Sequence, residues 1–141
     1  NVSRLAATPH RTAGAGGFVD ITSRAKRIIF SGNFNAGAKM HIEDGRLVID
    51  KEGKIAKIVP EVAQVSFSGR KATENGQDIT YVTERCVLRL LDGKLTVTEI
   101  APGIDVERDI LSQASGTLHV ASDLKEMDAA LFRDSPMGLA L

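Results

Sequence analysis

The feature that most constrains this chain is a series of short β-prone runs, most of them cut off by a pair ending in glycine. The runs are Arg46–Ile49, Lys54–Val59, Gln64–Ser68, Asp78–Thr83, Arg85–Leu90 and Leu95–Ile100. Between them stand Asp44-Gly45, Glu52-Gly53, Ser68-Gly69, Asn75-Gly76 and Asp92-Gly93. Tight hairpin turns need positive φ, which glycine adopts without a Cβ clash, so Asp-Gly between alternating runs predicts hairpins. Asp92-Gly93 is the clearest case, with Val87 and Arg89 alternating before it and Thr96, Val97 and Thr98 after it. Arg70–Asn75 adds one helical turn. A chain so punctuated cannot be a helical bundle.

Helical text flanks this β-rich middle. Asn1–Leu5 reads as the end of a strand, followed by a polar turn at Pro9 and the run Ala13-Gly14-Ala15-Gly16-Gly17. Phe18, Ile21 and Ala25 then share one face of a predicted short helix, and Lys26–Ser31 reads as a strand with an apolar centre. Toward the other end, Asp105 is placed to cap a helix over Val106–Ser115, with Val106, Ile110 and Ala114 on one face and Gly116 as its stop. Asp123 and Glu126 pair as a capping box for a helix over Leu124–Phe132, with Leu124, Met127 and Leu131 inward and Pro136 barring continuation. The expected class is α/β: an open sheet with flanking helices.

At 141 residues, 43% hydrophobic and 26% charged, the chain is large enough for one domain and too apolar to be disordered. Eighteen basic residues balance eighteen acidic ones, which argues against a nucleic-acid or polybasic-lipid binder. The balance is uneven along the chain. Residues 1–31 hold Arg4, Arg11, Arg24, Lys26 and Arg27 against Asp20 alone, a net +4 that offsets −4 in the remainder. A single cysteine, Cys86, excludes an internal disulfide, and His10, His41 and His119 have no metal-ligand spacing. Apolar runs reach only about four residues, far short of a membrane span.

Among candidate sites, Gly14-Ala15-Gly16-Gly17 carries the most information. Ahead of a helix, free N–H groups on such a run can cradle an anion or a developing oxyanion, although a tight turn without chemistry is the competing reading. The dinucleotide fingerprint needs a further glycine spacing and a later acid that are not convincing here. Phe34-Asn35-Ala36-Gly37 follows a strand, where ligands of parallel sheets gather. Glu74, in Thr73-Glu74-Asn75-Gly76, reads as a solvated turn residue, Cys86 as a buried apolar one, and His41 and His119 as structural. The Arg24-Lys26-Arg27 group reads as a solvated face. No pair of carboxylates has general acid–base spacing.

Taken together, these words resemble the family I coenzyme A transferases of the acetate/propionate type. Gly14-Ala15-Gly16-Gly17-Phe18 matches the family's GxGGF segment. Ile29-Phe30-Ser31-Gly32-Asn33-Phe34-Asn35-Ala36-Gly37, Tyr81-Val82-Thr83-Glu84-Arg85-Cys86-Val87 and Glu99-Ile100-Ala101-Pro102-Gly103-Ile104-Asp105 follow in order, as do Glu107–Leu111 and Phe132–Leu139. The resemblance implies a NagB/RpiA/CoA-transferase-like fold. It also implies transfer of CoA between a short-chain acyl-CoA and acetate or a similar acid, through a glutamyl-CoA thioester. Gly16 and Gly17 would give the oxyanion-hole N–H groups, and Gly14, Ala15, Gly16, Gly17, Phe18, Asn35, Ala36 and Gly37 would contact CoA, a substrate rather than a resident cofactor; no metal is expected.

The family's nucleophilic glutamate lies upstream of such a segment, and Glu74 stands where relatives have an ordinary helical turn. Residues 1–141 are therefore expected to be the carboxyl-terminal part of the second CoA-transferase domain, inactive alone, which agrees with a start at Asn1-Val2-Ser3 without Met. Ala38 and Cys86 depart from the letters common in relatives. The implied partners are acyl-CoA, a small carboxylate, the remainder of the transferase and further copies in a homo-oligomer, in the cytoplasm, without nucleic acid or membrane. A thioester hydrolase or lyase-complex subunit of the same fold, and a non-catalytic binding subunit, are the alternatives.

Overall fold

The computed structural model describes residues 16–138. The expected strand at Asn1–Leu5, the turn at Pro9, His10, Gly14, Ala15 and Leu139 lie outside the described residues. Elements run in the order α1 (Gly16–Arg24), β1 (Arg27–Ser31), β2 (Asn35–Ala36), β3 (Lys39–Glu43), β4 (Arg46–Lys51), β5 (Ile55–Ala56), α2 (Gly69–Glu74), β6 (Asp78–Val82), β7 (Cys86–Leu91), β8 (Lys94–Ile100) and β9 (His119–Glu126). The central sheet is mixed, in the order β1-β6-β7-β8-β9. Its two outer pairs, β1 with β6 and β8 with β9, are parallel, and the pairs between them are antiparallel. This is the α/β open sheet with flanking helices that the sequence implied.

The hairpins form where the turn chemistry requires them. Asp44-Gly45 joins β3 to β4 with φ of 50° and 74°, and Asp92-Gly93 joins β7 to β8 with φ of 48° and 74°. Positive φ at both central positions is the twist that matches paired strands. Parallel β1 and β6 instead need a crossover, which contains α2. Two apolar clusters result. Ile28, Phe67, Ala72 and Ile79 form the smaller one, with Phe18, Ala25, Phe30 and Tyr81 against it. The larger gathers Phe34, Leu47, Cys86, Leu88, Val97, Ala101, Ile104, Ile110, Met127 and Phe132.

Several sequence expectations are corrected. Ile21 is 72% exposed; the stripe that α1 turns inward is Phe18, Thr22 and Ala25. Thr22 can be buried because its hydroxyl donates to the Phe18 carbonyl at 2.8 Å. Gln64–Ser68 is not a strand, Phe67 making only an isolated bridge, and Lys54–Val59 pairs only over Ile55–Ala56. Residues 106–113 keep the Asp105 cap but form a π turn and a 3₁₀ turn rather than an α-helix. There the Gln113 amide takes the Arg108 carbonyl, and the Asp109 carboxylate accepts from the Asp105 N–H at 2.8 Å.

The helix expected over Leu124–Phe132 is the largest error. Residues 119–126 are strand β9, and only Ala129–Phe132 is helical, a 3₁₀ turn capped by Asp128. The register slips between Val97↔Val120 and Glu99↔Lys125, so six residues of β9 span the length of three on β8. That bulge sets inward residues three apart at Ala121, Leu124 and Met127, which imitates a helical stripe. Tertiary pairing along β8 overrode local propensity.

Gly53 shows how tightly the middle is packed. A Cβ there would lie 2.7 Å from the Ala36 carbonyl oxygen and 2.9 Å from the Asn35 Cβ. Gly53→Ala should therefore destabilise the protein by about 1–3 kcal/mol, read as a lowered urea midpoint at unchanged slope.

Candidate functional site

The ends of β1 and β6 open onto a groove of about 1240 Å³. Ser31, Gly32, Asn33 and Phe34 line it after β1, and Tyr81, Val82 and Thr83 line it from β6. Ligands of open α/β sheets bind beyond the carboxyl ends of parallel strands, and this is such a position. Among the described residues its lining includes Lys57, Arg70, Lys94 and His119 and no aspartate or glutamate. In a chain with equal numbers of acids and bases, a one-signed groove of this size favours an anionic ligand. Ile58, Val59, Val62, Leu88 and Leu95 give it an apolar wall.

Helix α1 brings its glycines to the same end of the sheet. It runs back along β1, and its nine residues span ~13 Å, close to the length of β1. The Phe18 ring stands 6.0 Å from Phe30, whose own ring stacks on Tyr81 at 5.0 Å. Burial pushes the Tyr81 hydroxyl up to about 12, so it stays protonated. Gly16 and Gly17 are exposed, and a Cβ on either would meet nothing within 4 Å. Neither has a positive φ. Nothing among the described residues demands glycine at these two positions.

The predicted loop divides. Asn33 and Phe34 reach the groove, whereas Asn35 and Ala36 pair with β5 beside it and Gly37 turns away with φ of 83°. Asn35 is 3% exposed and its Oδ1 has no hydrogen-bond partner among the described residues. Glu74 is exposed at the end of α2 and paired with Lys71, a solvated position as the sequence reading held. Arg27 likewise sits exposed, on Asp78 at 3.1 Å. Cys86 is fully buried, and burial pushes its thiol up to about 11, so it is a core residue. His41 pairs with Asp50 on the exposed β3–β4 hairpin, and that hydrogen bond raises its pKa. His119, read from sequence as structural, lines the groove. No cluster of metal-ligating side chains occurs among the described residues, and none of their helices is long and apolar enough to cross a membrane.

Sequence reasoning missed Arg85. Although 0% exposed, it donates to Glu52 at 2.8 Å, to the Asp109 carbonyl at 2.8 Å and to Glu84 at 3.3 Å, and its guanidinium lies 4.8 Å from the Phe34 ring centroid. The other Glu84 oxygen accepts the Phe34 N–H at 2.8 Å. One cation thus fixes the groove loop from its side chain and its backbone. The only hint in the sequence was a Glu-Arg pair at the start of a strand; Glu52 and Asp109 lie too far along the chain to be read with it.

No family model matches the chain. Among curated proteins it is 53% identical over 129 residues to the caffeate CoA-transferase of Acetobacterium woodii. It is 44% identical over 129 residues to the acetate CoA-transferase YdiF of Escherichia coli K12. These matches cover 92% and 91% of this chain, and 25% and 24% of the relatives. The structure superposes on the YdiF acyl-CoA transferase of E. coli O157:H7 as a thioester complex with CoA, with a TM-score of 0.86 at 43% identity. On the apoenzyme the TM-score is 0.91 at 40% identity, over 100% of this chain and 27% of that one. In sequence and fold the chain matches one segment of these CoA-transferases. It spans about a quarter of the length of the relatives it matches.

Two outcomes test the local electrostatics. Arg85→Met keeps the volume but leaves Glu52 and Glu84 without their cation, and should cost about 3 kcal/mol or more by chemical denaturation. Asp109 is held below the usual carboxylate range, first by the Arg108 fork at 2.7 Å and then by the Asp105 N–H. A depressed carboxylate stabilises the fold above its unfolded value of about 3.9, and that contribution is lost as pH falls through the folded value. The stability gap between wild type and Asp109→Asn should therefore be full at neutral pH and shrink as pH drops below about 4.

Proposed function

We propose that this chain is the carboxyl-terminal part of an acyl-CoA:carboxylate CoA-transferase, within its second CoA-transferase domain. The observation that carries the proposal is the one-signed groove at the strand ends, with two exposed glycines at the same end of the sheet. The phosphates of an acyl-CoA suit Lys57, Arg70 and Lys94, and its acyl arm suits the aliphatic wall. The caffeate and acetate relatives bracket the acceptors to be tried first.

On this reading a glutamate in the remainder of the polypeptide attacks the acyl carbonyl. The mixed anhydride forms as CoA thiolate leaves. The thiolate then attacks the glutamyl carbonyl, giving a glutamyl-CoA thioester and the free carboxylate, and the acceptor acid reverses both steps. Each attack builds charge on a carbonyl oxygen. The N–H groups of Gly16 and Gly17, with no side chain in the way, supply fixed donors to it. Glu74 has no part, and the 141 residues alone should transfer nothing. Cytoplasmic residence and assembly into a homo-oligomer belong to the same proposal.

The test is Gly17→Ala in the full-length polypeptide, assayed with propionyl-CoA as donor against acetate and against caffeate. Alanine in a helix is about 0.5–1 kcal/mol better than glycine and meets no neighbour, so the variant should be as stable as wild type or more so. Turnover should nevertheless fall at least tenfold, since the added methyl stands where the carbonyl oxygen binds. Unchanged turnover would sink the oxyanion assignment. Release of free CoA at a rate indifferent to acceptor would make the enzyme a hydrolase instead.

A further inference from the structure

Gln77 is the point at which three elements meet. Its backbone N–H donates to the Ala72 carbonyl at 2.9 Å, which ties it to α2. Its side-chain amide donates to the Thr22 carbonyl at 2.9 Å and to the Ala25 carbonyl at 2.6 Å, at the closing turn of α1. The next residue, Asp78, donates its N–H to Lys26 at 2.8 Å, where β6 starts beside β1. The last carbonyls of a helix have no partner within it, and one planar amide here serves two of them.

We propose that Gln77 is a positioning residue whose amide fixes α1 along its axis and in roll, and so aims Gly16 and Gly17 at the groove. This inference rests on the oxyanion role proposed above. At the amino-terminal end α1 is held by the Phe18 ring against Phe30, with centroids 6.0 Å apart. That contact and the packing of Ala25 are not directional, so by themselves they set the axial position and roll of the helix only loosely. Two hydrogen bonds to carbonyls three residues apart remove both freedoms. The bonded carbonyls lie ~8–13 Å along the axis from the glycines, so Gln77 acts at a distance from them. A slide of about 1 Å, less than one residue's rise, passes undiminished down a rigid helix, and displacement of that size costs up to about a hundredfold in rate.

The experiment uses the full-length transferase with Gln77→Met, which keeps the shape without donors, and Gln77→Glu, whose ionised form only accepts. Both should lower kcat tenfold or more and leave KM for acyl-CoA within twofold, because the groove is intact. Carbonyl oxygens facing a carboxyl disfavour its charge, so the glutamate should take up a proton above the usual ~4.3 and regain one bond. The ratio of Q77E to wild-type kcat should accordingly rise between pH 8 and pH 5, while that of Q77M stays flat. Amide hydrogen exchange in α1 should quicken in both at neutral pH. A silent wild type would overturn the transferase reading itself. An active wild type with variants at full kcat, with KM rising as kcat falls, with a flat Q77E ratio, or with both variants unfolded would overturn the role of Gln77 alone.

Discussion

Much of the larger half of the molecule is organised around the buried guanidinium of Arg85. Removing it from water costs several kcal/mol, offset only if every donor finds a partner at good geometry. The partners come from far apart: Glu52 after β4, the Asp109 carbonyl in the π turn, Glu84 beside it, and the Phe34 face after β1. Each segment is irregular in itself and has few backbone bonds to hold it. A buried pair of this kind adds little net stability over well-packed apolar side chains. Its effect is to leave one arrangement in which all the charges are satisfied, and the groove loop at Phe34 inherits that precision.

The groove follows from topology more than from any motif. Parallel pairing of β1 with β6 forces a crossover, and the residues of that crossover supply Lys57, Arg70 and most of the aliphatic wall. Lys94 and His119 arrive from the start of β8 and the start of β9. Cations distant in sequence thus converge, while the acids of the same segments turn to Arg85 or to solvent. Helix α1 adds its glycines at that end because a helix and a strand of matched length, joined by a short turn, must lie antiparallel.

The described part of the basic amino-terminal region does not mark where charge gathers in the fold. Arg24, Lys26 and Arg27 stay exposed, Arg27 on Asp78, and none of them lines the groove. The GNFNAG loop was legible at Gly37, whose φ of 83° few other residues tolerate. Even there the structure divided the loop, sending Asn33 and Phe34 to the groove and burying Asn35.

From the sequence alone came the hairpins at Asp44-Gly45 and Asp92-Gly93, the order of helix α1 and strand β1, the α/β class and the family resemblance. These rest on local rules: positive φ, side-chain period and ordered motifs. Tertiary structure decided that residues 119–126 pair with β8 as a bulged strand, that 106–113 form π and 3₁₀ turns, that Arg85 is buried, and that Gln77 closes α1. Those outcomes depend largely on partners distant in sequence, such as Asp109 for Arg85 and Thr22 for Gln77, or on the neighbouring strand β8. Periodicity along one segment has no access to what will lie beside it.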